Sequence, residues 1–321
     1  MAEPRLHAEI PADLAGQRFD QILPGMFRGY SRAHLANEVK AGRIRLGGRE
    51  VQPRTLVRGG EDVEWHRVEQ PVLGDRPEDI TLDIVHEDAD LIVLNKPAGL
   101  VVHPGAGNRG GTLLNALLHH DPDLARIPRA GIVHRLDKDT SGLLVVARSL
   151  PAQTALVAML AARDVHRRYV ALVNGVPVAG GTVDAPLDRH PSDRLRRAVR
   201  EGGRPAVTHY RVREKFRVHA LLQCELESGR THQIRVHMAH AGWPLVGDPL
   251  YGRGLKLPRA ATPRLAEALR GFRRQALHAE RLAFTHPVTG EALAFDAEPP
   301  RDFLDLLDAL REDAAAGARE K

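Results

Sequence analysis

From Thr81 onward the chain carries a series of short β-type runs, and these constrain its fold more than any other feature. Segments 82–86, 91–94, 142–147, 169–173, 206–211 and 221–225 are β-type runs, most of them rich in Val, Ile and Leu. Each is the length of one strand. Helical patterns at 112–119 and 151–162 separate some of them. The expectation is an α+β fold, with a mixed, largely antiparallel sheet flanked by helices. No internal repeat with a solenoid period is present.

Ahead of this region, residues 18–66 read as a separate compact α/β unit. A helical pattern starts at Arg18-Phe19-Asp20. Ser31 is placed to cap a second helix over 32–40, which Gly42 ends. Strand-like pieces follow at 43–46 and 63–65, and Gly47-Gly48 signals a hairpin. Between Arg18 and Arg67 the sequence holds ten Lys/Arg against six Asp/Glu, a local excess of +4. That excess suits a module that anchors a polyanion, although ordinary solvated surface charge is also consistent with it. Residues 67–80 read as a linker, 81–311 as the main domain, and 312–321 as a charged, frayed tail.

Composition removes several function classes. The chain has 321 residues and a net charge of +5, and its one cysteine, Cys224, excludes a disulfide framework or a cysteine-rich zinc site. The opening residues lack a secretory pattern, and no apolar run approaches the roughly 20 residues needed to span a bilayer. The expected location is the cytoplasm, with no membrane partner. His232, His237 and His240 lack the spacing of a metal-binding helix, so no metal is expected. The glycine-rich stretch 105–111 lacks a phosphate-loop ending, and Ser141 lies in no nucleophile elbow.

The chemistry concentrates in Gly131-Ile-Val-His134-Arg135-Leu136-Asp137-Lys138-Asp139-Thr140-Ser141-Gly142, which runs directly into the apolar stretch Leu143 to Ala147. A polar loop feeding a rigid strand holds an ionisable group still at the mouth of a sheet. Asp137 and Asp139 have the types and proximity of a carboxylate pair. They also fit an Asp/Thr/Ser-rich turn that caps a neighbouring element. The residues alone leave both readings open.

The full string His134-Arg-Leu-Asp137-x-x-Thr140-Ser-Gly-Leu-Leu144 resembles the signature of the RluA-type pseudouridine synthases. Further blocks follow in that family's order. They are 95–104 (NKPAGLVVHP), 168–175 (RYVALVNG, with Arg168 where lysine is more usual), 229–237 (GRTHQIRVH), 244–252 (PLVGDPLYG), 275–279 (QALHA) and His286-Pro287. The N-terminal unit resembles an S4 RNA-binding domain through Arg18, Asp20, Ser31, Arg32, Gly42 and Arg43. The resemblance implies isomerisation of uridine in RNA without a cofactor, with 23S ribosomal RNA or the large-subunit particle as partner.

It also implies roles for individual residues. Asp137 is the catalytic aspartate. Arg235 pairs with it, since a guanidinium offers two parallel donors that orient a carboxylate and favour its ionised form. The alternative for Arg235 is a cation on the face of a strand spanning 231–237. Tyr169 stacks on the flipped uracil; its alternative is an ordinary sheet aromatic. Arg135 reaches the RNA, His134 supports the loop, and Lys96 and Arg230 contact the RNA backbone, as do Arg18, Ser31, Arg32 and Arg43 in the N-terminal unit. The arginine-rich stretch 194–200, with Arg196 and Arg197, reads either as a flexible loop gripping phosphates or as a solvated face.

Overall fold

The structure is a computed structural model that describes residues 5–27, 30, 32–66, 76–105 and 107–319. The chain divides into two compact units, Met1–Pro71 and Val72–Lys321. Ser31 and most of the expected linker, 67–75, lie outside the described residues.

The first unit holds β1 (Arg5–Glu9), α1 (Phe19–Met26), α2 (Arg32–Lys40), β2 (Ile44–Leu46) and β3 (Asp62–His66). Its sheet has the order β1-β3-β2, antiparallel throughout. The unit therefore starts before residue 18, because β1 supplies an edge strand. Phe19, Ile22, Leu23, Leu35, Val63 and Trp65 close a small core beneath the two helices. Five charged side chains brace its surface. Arg18 and Arg32 both donate to Asp20, and Arg43 forms a two-point pair with Glu38.

The second unit is built on a nine-stranded sheet. Its strands are β4 (Ile84–Glu87), β5 (Leu91–Lys96), β6 (Ser141–Ala147), β7 (His166–Asn174), β8 (Gly181–Asp184), β11 (Val207–Lys215), β12 (His219–Leu226), β13 (Leu277–Thr285) and β14 (Ala292–Asp296). Two short strands, β9 (Leu187–Arg189) and β10 (Arg197–Val199), form a separate pair. The sheet runs β4-β5-β6-β13-β7-β12-β11-β8, with β14 on β13. Every pairing is antiparallel except β6 with β13, which is parallel at Ser141–His278 and Gly142–Ala279.

The central strands are apolar on both faces, so alternation sorts their side chains between two layers. Leu144 and Val146 of β6, and Tyr169, Ala171 and Val173 of β7, face one layer with α3 (Leu113–His120). Ile234 and Met238 of α5 (Gln233–His240) pack into the same layer. Leu143 and Val145 face the other layer, packed on α4 (Leu150–Ala162). Val170 and Leu172 also point that way, onto α6 (Pro263–Gly271) and α7 (Arg301–Arg319).

Three sequence expectations are corrected. Residues 312–319 extend α7 instead of fraying, and Asp313 is buried, accepting from Arg217 and from the Thr262 amide. The alternating segment 231–237 is mostly helix. Residues 233–238 of α5 are all buried, so no polar face betrays a 3.6-residue period. The arginine-rich stretch is not a free loop, because Arg197–Val199 forms β10 against β9.

Candidate active site

The loop preceding β6 is clamped from several directions. Lys96 is fully buried, and its ammonium donates to the carbonyls of Pro97 (2.7 Å), Leu100 (3.0 Å) and Lys138 (2.9 Å). The Gly99 amide donates to the same Lys138 carbonyl. Gln275 donates to the Thr140 hydroxyl at 3.0 Å, and Ser141 shares a 2.9 Å hydrogen bond with His278. Within the loop, the Val145 amide donates to Nε2 of His134 at 3.1 Å. That geometry needs Nε2 unprotonated, and loss of hydration, then the Arg167 charge, lower this histidine's pKa in the same sense. His134 is thus a support for the loop.

Lys96 departs from its expected role as an RNA contact. A lysine in an otherwise apolar strand end reads as a surface cation. Here all three of its protons go to backbone carbonyls and none faces solvent. Burial lowers its pKa to about 8, against the opposing pull of Asp139 and Asp137.

Gly142 makes the junction possible. Its φ is +116°, and a β-carbon there would lie 2.3 Å from the carbonyl oxygen of Ala279. The parallel approach of β6 to β13 therefore requires glycine.

Asp137 emerges from this turn into a cleft lined also by Arg135, Arg167, Tyr169, Arg230 and Arg235. Asp139 is not part of that lining, so the two carboxylates do not form a working pair. Arg235 comes from α5 and donates through Nη1 to Oδ2 of Asp137 at 3.0 Å. Its forked edge faces a different partner, Asp248, with Nε to Oδ2 at 2.7 Å and Nη2 to Oδ1 at 2.9 Å. The amides of Leu250 and Tyr251 also donate to Asp248. The Asp248 side chain has no exposed surface and that of Arg235 only 4%.

Tyr169 is buried on β7, on the sheet face that carries Asp137. Burial raises its phenol pKa, and the nearby Asp137 charge acts the same way against Arg167, so the ring stays neutral. His232 sits at the N-cap of α5 with φ of +60°, a left-handed conformation that histidine tolerates better than most residues. Its Nδ1 is 2.8 Å from the Tyr251 hydroxyl, and its Nε2 is 3.8 Å from Asp137. The Tyr251 ring lies under the guanidinium of Arg235, 5.1 Å from Cζ to centroid.

The structure thus brings Asp137, Tyr169, Arg235, Arg135 and Arg230 to one cleft. Arg196 lies over the outer side of Tyr251, and the Arg197 amide donates to the Tyr251 hydroxyl. Arg18, Arg32 and Arg43 belong to the other unit, where each is already paired with a carboxylate. His237 has both ring nitrogens engaged, by Thr208 and the Ala185 carbonyl. Sequence reasoning assigned no role to Asp248, Tyr251, His232 or Arg167. Asp248 and Tyr251 do lie in the block 244–252, and that block was the available signal.

A carboxylate held by a buried arginine, an aromatic on the sheet face beside it and a rim of arginines define the class: an RNA pseudouridine synthase. Comparison with known proteins agrees. The sequence profile of the RNA pseudouridylate synthase family matches residues 90–240. Ribosomal large subunit pseudouridine synthase D of Xanthomonas campestris pv. campestris is 58% identical over 97% of this chain and 94% of its own. The proteins of that name from Pseudomonas aeruginosa and Escherichia coli are 52% and 50% identical, each over 96% of this chain and at least 95% of their own. Among solved structures, human RNA pseudouridylate synthase domain containing 4 aligns with a TM-score of 0.56 and 28% identity, over 71% of this chain and 92% of its own. The chain belongs to the RNA pseudouridylate synthase family.

Proposed function

We propose that this protein isomerises uridines of 23S ribosomal RNA, within the hairpin known as helix sixty-nine, with Asp137 as the catalytic residue. The reading rests chiefly on the 3.0 Å contact between Arg235 and Asp137 at the mouth of the sheet. The target is supported by near full-length similarity to relatives named for the large ribosomal subunit. Segments 189–191, 203–210 and 216–219 also resemble the synthase that acts on that hairpin.

The reaction breaks the bond between uracil N1 and ribose C1′, turns the base, and joins C5 to C1′. The hydrogen leaves C5 and N1 gains one, so composition and oxidation state are unchanged and no cofactor is needed. A stacked base is out of reach, so the nucleotide must leave the helix first. Arg135, exposed at the rim, would occupy the vacated space, and Tyr169 would hold the base against the sheet. Attack at C1′, addition at C6 and removal of the C2′ proton all use a carboxylate held beside sugar and base. Arg235 holds Asp137 in that position. The N-terminal unit acts as an S4-like RNA anchor, and the setting is cytoplasmic.

The test is to map pseudouridines in 23S rRNA from cells with the gene, without it, and with Asp137→Asn. Loss at the hairpin in the last two supports the reading. Loss confined to another site overturns the target, and full modification by Asp137→Asn overturns the chemistry.

A further inference from the structure

A second cleft adjoins the first, of about 530 Å³, walled by His103, Arg129, His134 and Leu160. Arg135, Arg167 and Gly229 belong to both clefts and form the partition between them. Three arginines therefore converge on this space, and none has a carboxylate partner among the described residues.

Arg167 is the least expected of the three. It is 8% exposed, its Nε is buried without a hydrogen-bond partner, and the described residues offer it no acid. A buried guanidinium left in that state is costly unless something anionic completes it. Gly229 leaves room for it, since a β-carbon there would lie 2.6 Å from Arg167 Nη1.

Arg129 is held at the opposite wall by strained backbone. Arg129 and Ala130 have φ of +57° and +49°, and Gly131 follows at +75°. A β-carbon at Gly131 would strike the Ala147 carbonyl at 1.8 Å, so this turn is pressed onto the end of β6. Left-handed non-glycine residues persist where the surroundings over-determine them, and they collect at binding sites. His103 completes the lining. Burial, then the charges of Arg129 and Arg135, push it down to about 4, so it is neutral at pH 7 and adds a hydrogen-bonding group without charge.

We propose that this second cleft is a preformed phosphodiester site, in which Arg129 and Arg167 grip a backbone phosphate next to the nucleotide whose base enters the Asp137 cleft. Guanidinium groups suit a phosphate because their parallel donors match two of its oxygens. The shared partition gives the arrangement its purpose. A phosphate fixed on one side of Arg135 and Arg167 sets the distance over which the base must swing to reach the other side. The proposal rests on the synthase reading above.

The experiment uses the full chain and RNA hairpins carrying a neutral methylphosphonate at successive positions around the target uridine, with affinity and single-turnover conversion measured for each. With wild-type protein, one position within a nucleotide or two of the target should weaken binding roughly tenfold. Arg129→Ala and Arg167→Lys should each lose a similar factor on unmodified RNA, and lose little more when that same phosphate is neutral. Arg129→Ala should also reduce the slope of log affinity against log salt by roughly one. Arg129 lies at the cleft wall, so its variant keeps the test informative if Arg167→Lys does not fold. Wild-type affinity in both variants overturns the site, as do losses that simply add at every methylphosphonate. Competition by inorganic phosphate without coupling to any strand position points to a free anion and overturns it equally. Coupling in a wild-type protein that forms no pseudouridine overturns the synthase reading instead and leaves the phosphate site standing.

Discussion

Arg235 turns its forked edge to Asp248, at 2.7 and 2.9 Å, and reaches Asp137 through its remaining terminal nitrogen at 3.0 Å. The expected two-point grip thus falls on a carboxylate that lies outside the cleft lining. A guanidinium pinned along one edge has no freedom to rotate, so the direction of Nη1 is set by Asp248. Two backbone amides fix Asp248 in turn. The ordering therefore runs from the 248–251 turn to Arg235 to Asp137.

This chain of contacts makes Asp248→Asn a sensitive probe. The variant keeps the shape but removes the charge opposite a buried guanidinium, at a cost of about 3–5 kcal/mol in stability. Loss of orientation at Asp137 should lower kcat roughly a hundredfold. RNA affinity should change little, because Asp248 has no exposed surface. Urea melts and single-turnover rates read the two effects separately. An active, destabilised Asp248→Asn would show that Arg235 does not need the fork.

Lys96 separates structural from RNA-binding cations. Lys96→Met retains the apolar stem and removes the donor shared by three carbonyls. That of Lys138 keeps the Gly99 amide, while those of Pro97 and Leu100 lose this partner, at about 1–3 kcal/mol each if they stay dry. The expected result is lower stability and a lower kcat, with the salt dependence of RNA binding unchanged. A shallower salt slope would restore Lys96 to the list of phosphate contacts.

The legibility of the site follows from where its parts lie in the chain. Asp137, Tyr169 and Arg235 each stand in a contiguous block that matches the family's pattern, so the resemblance names them before any fold is known. Their residue types alone leave a capping turn, a sheet aromatic and a strand-face cation equally open. Asp248 reaches Asp137 only through Arg235, a contact that no contiguous block displays. Arg167 becomes unusual only when burial removes its solvent and none of the described residues supplies an acid in its place. Lys96 misleads for the converse reason, since only the fold brings the carbonyls of Leu100 and Lys138 around it. The main strands were legible because the sheet is apolar on both faces over β5, β6 and β7. The helix α5 was not, because burial all round erases its period. The C-terminal helix hides beneath its charge, although Phe303, Leu306, Leu307 and Leu310 carry a buried stripe.

Gly142→Ala tests whether the β6–β13 junction positions the loop. The added methyl would meet the backbone of Ala279 at 2.3 Å from a left-handed φ. Neither strand can yield without breaking their only parallel pairing. A loss of at least about 3 kcal/mol is expected, seen as a lower Tm and poor recovery of folded protein. Gly99→Ala, which meets nothing within 4 Å but also has positive φ, should cost only about 1 kcal/mol and serves as the control.

Acid sensitivity should trace in part to His219, a buried histidine at the start of β12. Burial, and after it the Lys256 charge, push its ring down to about 4, whereas an unfolded histidine titrates near 6.5. Between these values the unfolded chain binds a proton that the folded chain refuses. The stability present above pH 6.5 is therefore lost as pH falls toward 4, by up to about 1.4 kcal/mol per pH unit for this one group. His103, also held near 4, adds to the loss in the same window. His219→Leu replaces the ring with an apolar group of similar size and removes its proton uptake. Urea midpoints at pH 7.0 and 5.0 should lie closer together for the variant than for the wild type. An unchanged gap between the two midpoints would assign the acid sensitivity to other groups.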